Sequence, residues 1–256
     1  MRTVLRHKKY FVLILTVLSL LITAPVSAQE KSPDDWQYSF ELYAWLPKLS
    51  LQPFEGEQET FKFKDILENL DMGFFGDVEM RKQDWSLGLD MIYLNLGVDE
   101  TISGEIIGRP GNLDAAIDLR GVIGTLTAGH TIARSDRTRF DIIGGTRYLY
   151  IRNQIELDFD ATPMEKKVTL GGTAWDFLLG FEGKTLINDQ WYFDYYGDAG
   201  SGGSKLTWQA KLGMGYEFNK WTATFGYRHM SYRFYNSGDL KSLRVTGPYL
   251  GAKWYW

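Results

Sequence analysis

The stretch Leu206-Thr-Trp-Gln-Ala-Lys-Leu-Gly-Met-Gly-Tyr-Glu-Phe218 decides how the rest of the chain is read. Leu206, Trp208, Ala210, Leu212, Met214, Tyr216 and Phe218 alternate with Thr207, Gln209, Lys211, Gly213, Gly215 and Glu217. A period of two held over 13 residues marks a β-strand whose faces meet two different solvents. About 9–11 residues cross a bilayer as a tilted strand, so a run of this length is long enough to span one.

The pattern recurs along the chain. Trp36, Tyr38, Phe40, Leu42, Ala44 and Leu46 alternate with Gln37, Ser39, Glu41, Tyr43 and Trp45. Met72 to Arg81 and Trp85 to Tyr93 follow the same rule, with Asp77, Glu79, Arg81 and Asp90 on one face only. Further strands are expected at about Leu113–Ile132, Phe140–Tyr150, Ala174–Leu186, Trp191–Ala199, Trp221–Phe234 and Leu243–Trp256. The expected fold is therefore all-β: a transmembrane antiparallel up-and-down barrel of about ten strands, an even number as in bacterial single-chain barrels.

The connections sort by length. Lys82–Asp84, Ser135–Arg137, Asn188–Gln190 and Asn219-Lys220 are short and polar, whereas Pro47–Asp71, Gly97–Asn112 and Arg152–Gly172 are long. Short turns face the periplasm and long loops the exterior in such barrels. Trp85, Trp191 and Trp221 each follow a short turn and are expected to form an interfacial girdle, where an indole is well placed between lipid and water. Within the first long loop, Ile66, Leu67 and Leu70 lie at helical spacing in Lys64–Leu70. Two readings stand: a short helix that plugs or lids the barrel mouth, or a helical turn that only packs on the loop.

The N-terminus reads as an export signal, cleaved after Ala28 and followed by the barrel domain over 29–256. Arg2, Arg6, Lys8 and Lys9 precede the apolar run Phe11–Thr23, and Ala24-Pro-Val-Ser-Ala28 supplies the small-residue cleavage pattern. Thirteen residues make about 20 Å of helix, too short for a hydrocarbon core of about 30 Å. Removing the segment takes four of 28 basic residues and no acid, leaving 24 against 32, a net of −8. Nucleic acid is excluded as a natural partner by that balance. The chain has 256 residues, no cysteine, 9 Trp, 15 Tyr and 15 Phe. Thiolate metal sites and disulfide scaffolds are thereby excluded. A mean hydropathy of −0.26 argues against a multi-span helical membrane protein and suits a barrel, which averages a lipid face with a polar interior.

Asp65–Gly97, Tyr195–Gln209, Leu212-Gly-Met-Gly-Tyr216, Gly226-Tyr-Arg228 and Gly144-Gly-Thr-Arg-Tyr148 resemble a family of proteobacterial outer-membrane β-barrel proteins described as uncharacterised or porin-like. The resemblance implies the fold and the outer membrane of a Gram-negative bacterium, not a reaction. His229 stands where the family pattern has tyrosine. The tail Gly251-Ala-Lys-Trp254-Tyr-Trp256 resembles the insertion signal read by the outer-membrane barrel assembly machinery, which makes that machinery and outer-membrane lipid the expected partners.

Inside the barrel, Arg81, Asp90, Arg120, Arg147, Asp198 and Arg228 are the candidates for a lumen constriction. Buried charges must pair, and ten strands leave at most a thin passage. No catalytic residue, metal ligand set or cofactor is expected: His7 leaves with the signal, and neither His130 nor His229 has an Asp-x-His neighbour. The function expected is porin-like, an envelope role with narrow or gated passage of small hydrophilic solutes. Adhesion through the long outer loops is the second reading, and a surface hydrolase the third.

Overall fold

The structure is a computed structural model and describes residues 35–256 apart from 54–58, 63, 65, 67–68, 107–108, 160–164 and 236–239. The expected export signal lies outside the described residues.

Twelve strands build a closed antiparallel barrel of ten staves. They are β1 (Gln37–Trp45), β2 (Lys48–Pro53), β3 (Glu59–Phe61), β4 (Leu70–Lys82), β5 (Trp85–Ile106), β6 (Arg109–Arg134), β7 (Thr138–Phe159), β8 (Glu165–Leu186), β9 (Trp191–Gly202), β10 (Leu206–Glu217), β11 (Thr222–Arg233) and β12 (Leu240–Tyr255). β1 and β2 form one stave, since both pair with β12, from Phe40↔Trp254 through Trp45↔Tyr249 to Lys48↔Thr246. The break falls at Pro47, which has no N–H for the ladder; Leu46 N–H still donates to the Pro248 carbonyl at 2.9 Å. β3 only adds a short strand to β2.

The outside and inside of the barrel are inverted relative to a water-soluble domain. On the outer face Phe177 is 80 % exposed, Leu179 73 % and Leu250 61 %, while inside Arg147 and Asp141 are fully buried. No aqueous solvent would favour that distribution, but a hydrocarbon one would, with the polar groups satisfied inside the closed sheet.

All four short turns fall where the sequence places them. The β8–β9 turn is held by Asn188, whose Oδ1 accepts from the N–H groups of Gln190 (2.9 Å) and Trp191 (2.8 Å). At the other end, the glycine-rich β9–β10 hairpin is tied down by Asp176, which accepts from Ser204 N–H (2.8 Å) and its hydroxyl (2.9 Å). Gly202 has φ +155° there, and a Cβ would lie 2.5 Å from the Trp175 carbonyl oxygen, so only glycine fits.

Two of the long loops correct the expectation. Gly97–Asn112 and Arg152–Gly172 are mostly strand: β5 pairs with β6 all the way to Ile106↔Arg109, and β7 with β8 to Asp158↔Glu165. β4 stops at Leu70↔Leu96 and β9 at Gly202↔Asp176. The four strands β5–β8 therefore run on past their neighbours as a projecting sheet. Ten residues of β5 lie beyond Leu96, about 33 Å of strand. Once both faces of a hairpin meet water the alternation that marks a spanning strand vanishes, although the backbone pairing continues.

In the first outer loop Lys64 and Ile66 are helical, and positions 65, 67 and 68 of the expected Lys64–Leu70 helix lie outside the described residues. One helical bond is present, from Ile66 N–H to the Lys62 carbonyl at 3.1 Å. Ile66 is 3 % exposed and packed in the barrel mouth, as the plugging reading expects of this residue.

Candidate functional site: a barrel interior in three layers

β5, β7 and β11 carry their inward side chains in a graded order from the short-turn rim to the opposite rim. On β5 the inward series is Ser86, Gly88, Asp90, Ile92, Leu94 and Leu96; on β7 it is Asp141, Ile143, Gly145, Arg147, Leu149 and Ile151; on β11 it is Thr222, Thr224, Gly226, Arg228, Met230 and Tyr232. The charges cluster in the half nearer the short turns, and the large apolar residues lie beyond them.

The first layer is a charged cavity of about 270 Å³, lined among others by Glu41, Asp77, Glu79, Asp194, Lys211 and Lys253. Arg81 lies near its rim and reaches across the bore. Its Nη2 donates to Glu79 Oε1 (2.8 Å), to Asp141 Oδ2 on β7 (2.7 Å) and to Glu182 Oε1 on β8 (3.3 Å). Deeper in, Lys211 Nζ stands 3.7 Å from Glu41 Oε2 and Lys253 Nζ 3.7 Å from Glu79 Oε2. The Lys211 ammonium also lies 4.8 Å from the Tyr249 ring centroid.

The second layer is built of two arginine struts. Arg228, on β11, clamps Asp90 on β5 in bidentate fashion, with Nη2 to Oδ1 at 2.6 Å and Nη1 to Oδ2 at 3.0 Å. The two staves are four apart round the ring, so the pair spans the bore. Arg228 also donates to the Tyr43 hydroxyl (2.6 Å) and to Gln209 Oε1 (2.8 Å), and Tyr43 in turn donates to Asp90 Oδ2 (2.7 Å). Arg147, from β7, pairs with Asp198 on β9 and donates to Thr125 Oγ1 (3.0 Å) and Thr207 Oγ1 (3.1 Å). A guanidinium has a planar set of fixed donors, which suits it to tie several strands at once. Such networks hold only when nearly every member is satisfied.

The third layer is apolar. Trp45, Leu49, Ile66, Phe75, Ile92, Ile123, Leu149, Ile151, Leu243 and Val245 surround a small cavity of about 60 Å³ whose wall is wholly apolar. The Trp45 indole N–H is spent on the Gly247 carbonyl (3.1 Å), so it offers nothing polar to the cavity.

Five of the six constriction candidates thus enter the interior network: Arg81, Asp90, Arg147, Asp198 and Arg228. Arg120 does not. It is exposed, on the opposite face of β6 from the buried Leu119 and Ile123, and in register between Asn95 and Arg152. The adjacent Asp118 is exposed too, near the level where β6 leaves the closed barrel and an outward charge meets water rather than lipid. The apolar third layer, by contrast, is absent from the sequence reading. Its signal is present in the sequence, because the polar face of β5, β7 and β11 changes to Ile, Leu, Met or Tyr at one end, whereas that of β10 stays polar through Gln209 and Thr207.

The tryptophans of the expected girdle stand at the short-turn rim. Trp85 packs on His130 with ring centroids 4.6 Å apart, Trp191 on Tyr216 at 5.0 Å, and Trp221 on Phe218 at 4.5 Å. In the C-terminal tail, Gly251 pairs with Tyr43 and Thr224, where a Cβ would come within 2.7 Å of Thr224 Oγ1. Trp254 lies opposite Phe40 and stacks on it at 6.1 Å, and Trp256 follows the end of β12. Both described histidines face outward: His130 against Trp85, and His229 with Nδ1 2.6 Å from Thr246 Oγ1 and its ring on Trp208. Among the described residues no group of three His, Asp or Glu side chains is placed to hold a metal ion.

No family model and no curated protein matches the chain. Among solved structures it is similar to the translocator domain of the autotransporter NalP from Neisseria meningitidis, at 12% identity over 97% of this chain and 95% of that one, with a TM-score of 0.45. It is similar to Ail, the attachment invasion locus protein of Yersinia pestis, at 9% identity over 87% and 99%, TM-score 0.36. A third is the P. putida toluene transporter TodX, at 12% identity over 88% and 90%, TM-score 0.32. At these values the likeness assigns no function.

Proposed function

We propose that the chain is a Gram-negative outer-membrane barrel of the porin-like kind that holds a narrow passage for small solutes closed at rest. The observation that carries this reading is the Arg228–Asp90 strut laid across the bore, with the Arg147–Asp198 pair beside it, between a charged cavity and an apolar layer stopped by Ile66. A barrel serving only as an envelope scaffold would need no cavity. A general porin would need no stopper.

The apolar outer surface, the N-terminal pattern ending at Ala28 and the resemblance to the uncharacterised proteobacterial barrel family support the location. On this reading Gly251, Trp254 and Trp256 are recognised by the barrel assembly machinery, and Trp85, Trp191 and Trp221 sit at the periplasmic boundary of the lipid.

Planar-bilayer recording tests the gate. The wild-type protein is expected to give little conductance. The triple variant Ile66→Ala, Asp90→Ala, Arg228→Ala removes the stopper and one strut without leaving an unpaired charge, and should give discrete openings. A large, constantly open wild-type pore would overturn closure at rest. A silent triple variant that is folded would overturn the passage and leave an envelope role.

The projecting sheet of β5–β8 favours a second reading, adhesion through the outer strands, because projecting elements carry recognition while the barrel anchors them. Shortening both hairpins, at Gly97–Asn112 and Arg152–Gly172, should then abolish attachment of cells to surfaces without affecting heat-modifiable gel migration.

A further inference from the structure

We infer that the outer half of the barrel is a binding site for a small hydrocarbon, with Ile66 occupying it as a stand-in when no ligand is present. The inference deepens the gated-passage reading, on which it rests for access past Ile66, and it changes the class of solute that enters from the outer side.

The argument begins with the wall. Every side chain round the 60 Å³ space is apolar or has its polar group turned away, and these chains come from six neighbouring staves of the ten, β12, β1–β2 and β4 to β7: Trp45, Phe75, Ile92, Ile123, Leu149 and Val245. A hydrophilic solute entering there would surrender its water without gaining a hydrogen bond, at several kcal/mol for each polar group. A cavity of this kind stays dry, and one of about 150 Å³ takes benzene or xenon. About 60 Å³ is already free beside Ile66, and withdrawing its four-carbon side chain enlarges the space.

Two residues make the space. Ile66 comes from a loop rather than a stave; the backbone bond described for it runs to Lys62, four residues back, and both Lys62 and Lys64 are exposed. Its side chain is 3 % exposed, so an apolar group that follows the exposed Lys62 and Lys64 fills the site. Gly121, on β6, lines the same cavity, and a Cβ built there would have no atom within 4 Å. At most other interior glycines a Cβ would strike a neighbour, as at Gly145, where it would lie 2.0 Å from the Leu126 carbonyl oxygen. Glycine at 121 therefore serves no close approach of chains. It leaves room.

The two residues give opposite tests. Ile66→Ala empties the site and Gly121→Val fills it, each checked for folding by heat-modifiable migration. Crystals under xenon pressure should show a xenon peak beside residues 66, 92 and 121 in the wild type, a stronger one in Ile66→Ala and none in Gly121→Val. In lipid nanodiscs, fluorine NMR of fluorobenzene should show a saturable bound signal, distinct from unsaturable partition into lipid. Its affinity should be about tenfold or more tighter in Ile66→Ala, because the probe no longer has to displace a buried isoleucine. No xenon and no saturable signal in Ile66→Ala, or occupancy that persists in Gly121→Val, overturns the site. Conductance in the triple variant without probe binding refutes the hydrocarbon site and keeps the passage; saturable binding with a silent triple variant does the reverse.

Discussion

Arg228→Ala is expected to lower the stability of the barrel by about 3 kcal/mol, the lower end of the 3–5 kcal/mol found when one partner of a buried ion pair is removed. The guanidinium is 1 % exposed and makes four hydrogen bonds, to Asp90 (two), Tyr43 and Gln209. Deleting it leaves the Asp90 carboxylate with the Tyr43 hydroxyl and leaves Gln209 Oε1 without that donor. Asp90 keeps 17 % side-chain exposure toward the charged cavity, which relieves part of the penalty and places the cost at the lower end. The double variant Arg228→Met, Asp90→Leu should recover most of the loss, since apolar groups of similar volume replace a buried pair at little cost. Urea midpoints of the refolded protein in liposomes measure both. A single-variant loss below about 1 kcal/mol, the range of solvent-exposed pairs, would mean that bulk water reaches the strut and that the bore is open at this level.

The sequence carried the staves and their faces because each spanning residue has lipid on one side and the lumen on the other, and a period of two is all that this requires. Leu206–Phe218 was readable on its own for that reason, as was the outward placement of His229 among Ala223, Phe225 and Tyr227. Partner identity was not readable. Arg228 meets Asp90 from four staves away and Arg147 meets Asp198 across β8, and both depend on the stagger of the closed sheet, which no single strand records. Arg120 misled because a charge on a spanning strand must face inward, whereas β6 has left the closed barrel near that position. Gly97–Asn112 misled in the converse way: a hairpin that runs on past its neighbouring strands keeps its ladder although its sequence no longer alternates. The apolar layer was visible, had the inward series on β5 been followed from Asp90 through Ile92 and Leu94 to Leu96.

Leu179→Arg separates a lipid-facing from a water-facing exterior most directly. Leu179 lies on β8, outward, 73 % exposed, seven residues from the short-turn rim at Leu186 and flanked along the same face by the exposed apolar Phe181 and Phe177. In a bilayer an arginine near the midplane of the lipid face costs about 2–4 kcal/mol, and one near the boundary about 0–1 kcal/mol. Thr173→Arg, six residues further along the same face and exposed, supplies the boundary comparison. In a water-soluble barrel both substitutions would sit on a hydrated surface and stay within about 0.5 kcal/mol of the wild type, and Leu179→Arg would even cover an apolar patch with charge. The expected result is therefore a difference between the two positions, a loss at 179 several times that at 173, measured by urea unfolding in liposomes. Equal and negligible effects would place water against Leu179, and with it against Phe177 and Leu250. The membrane reading would then fail, since buried charge within and apolar surface without have no common cause except a hydrocarbon solvent.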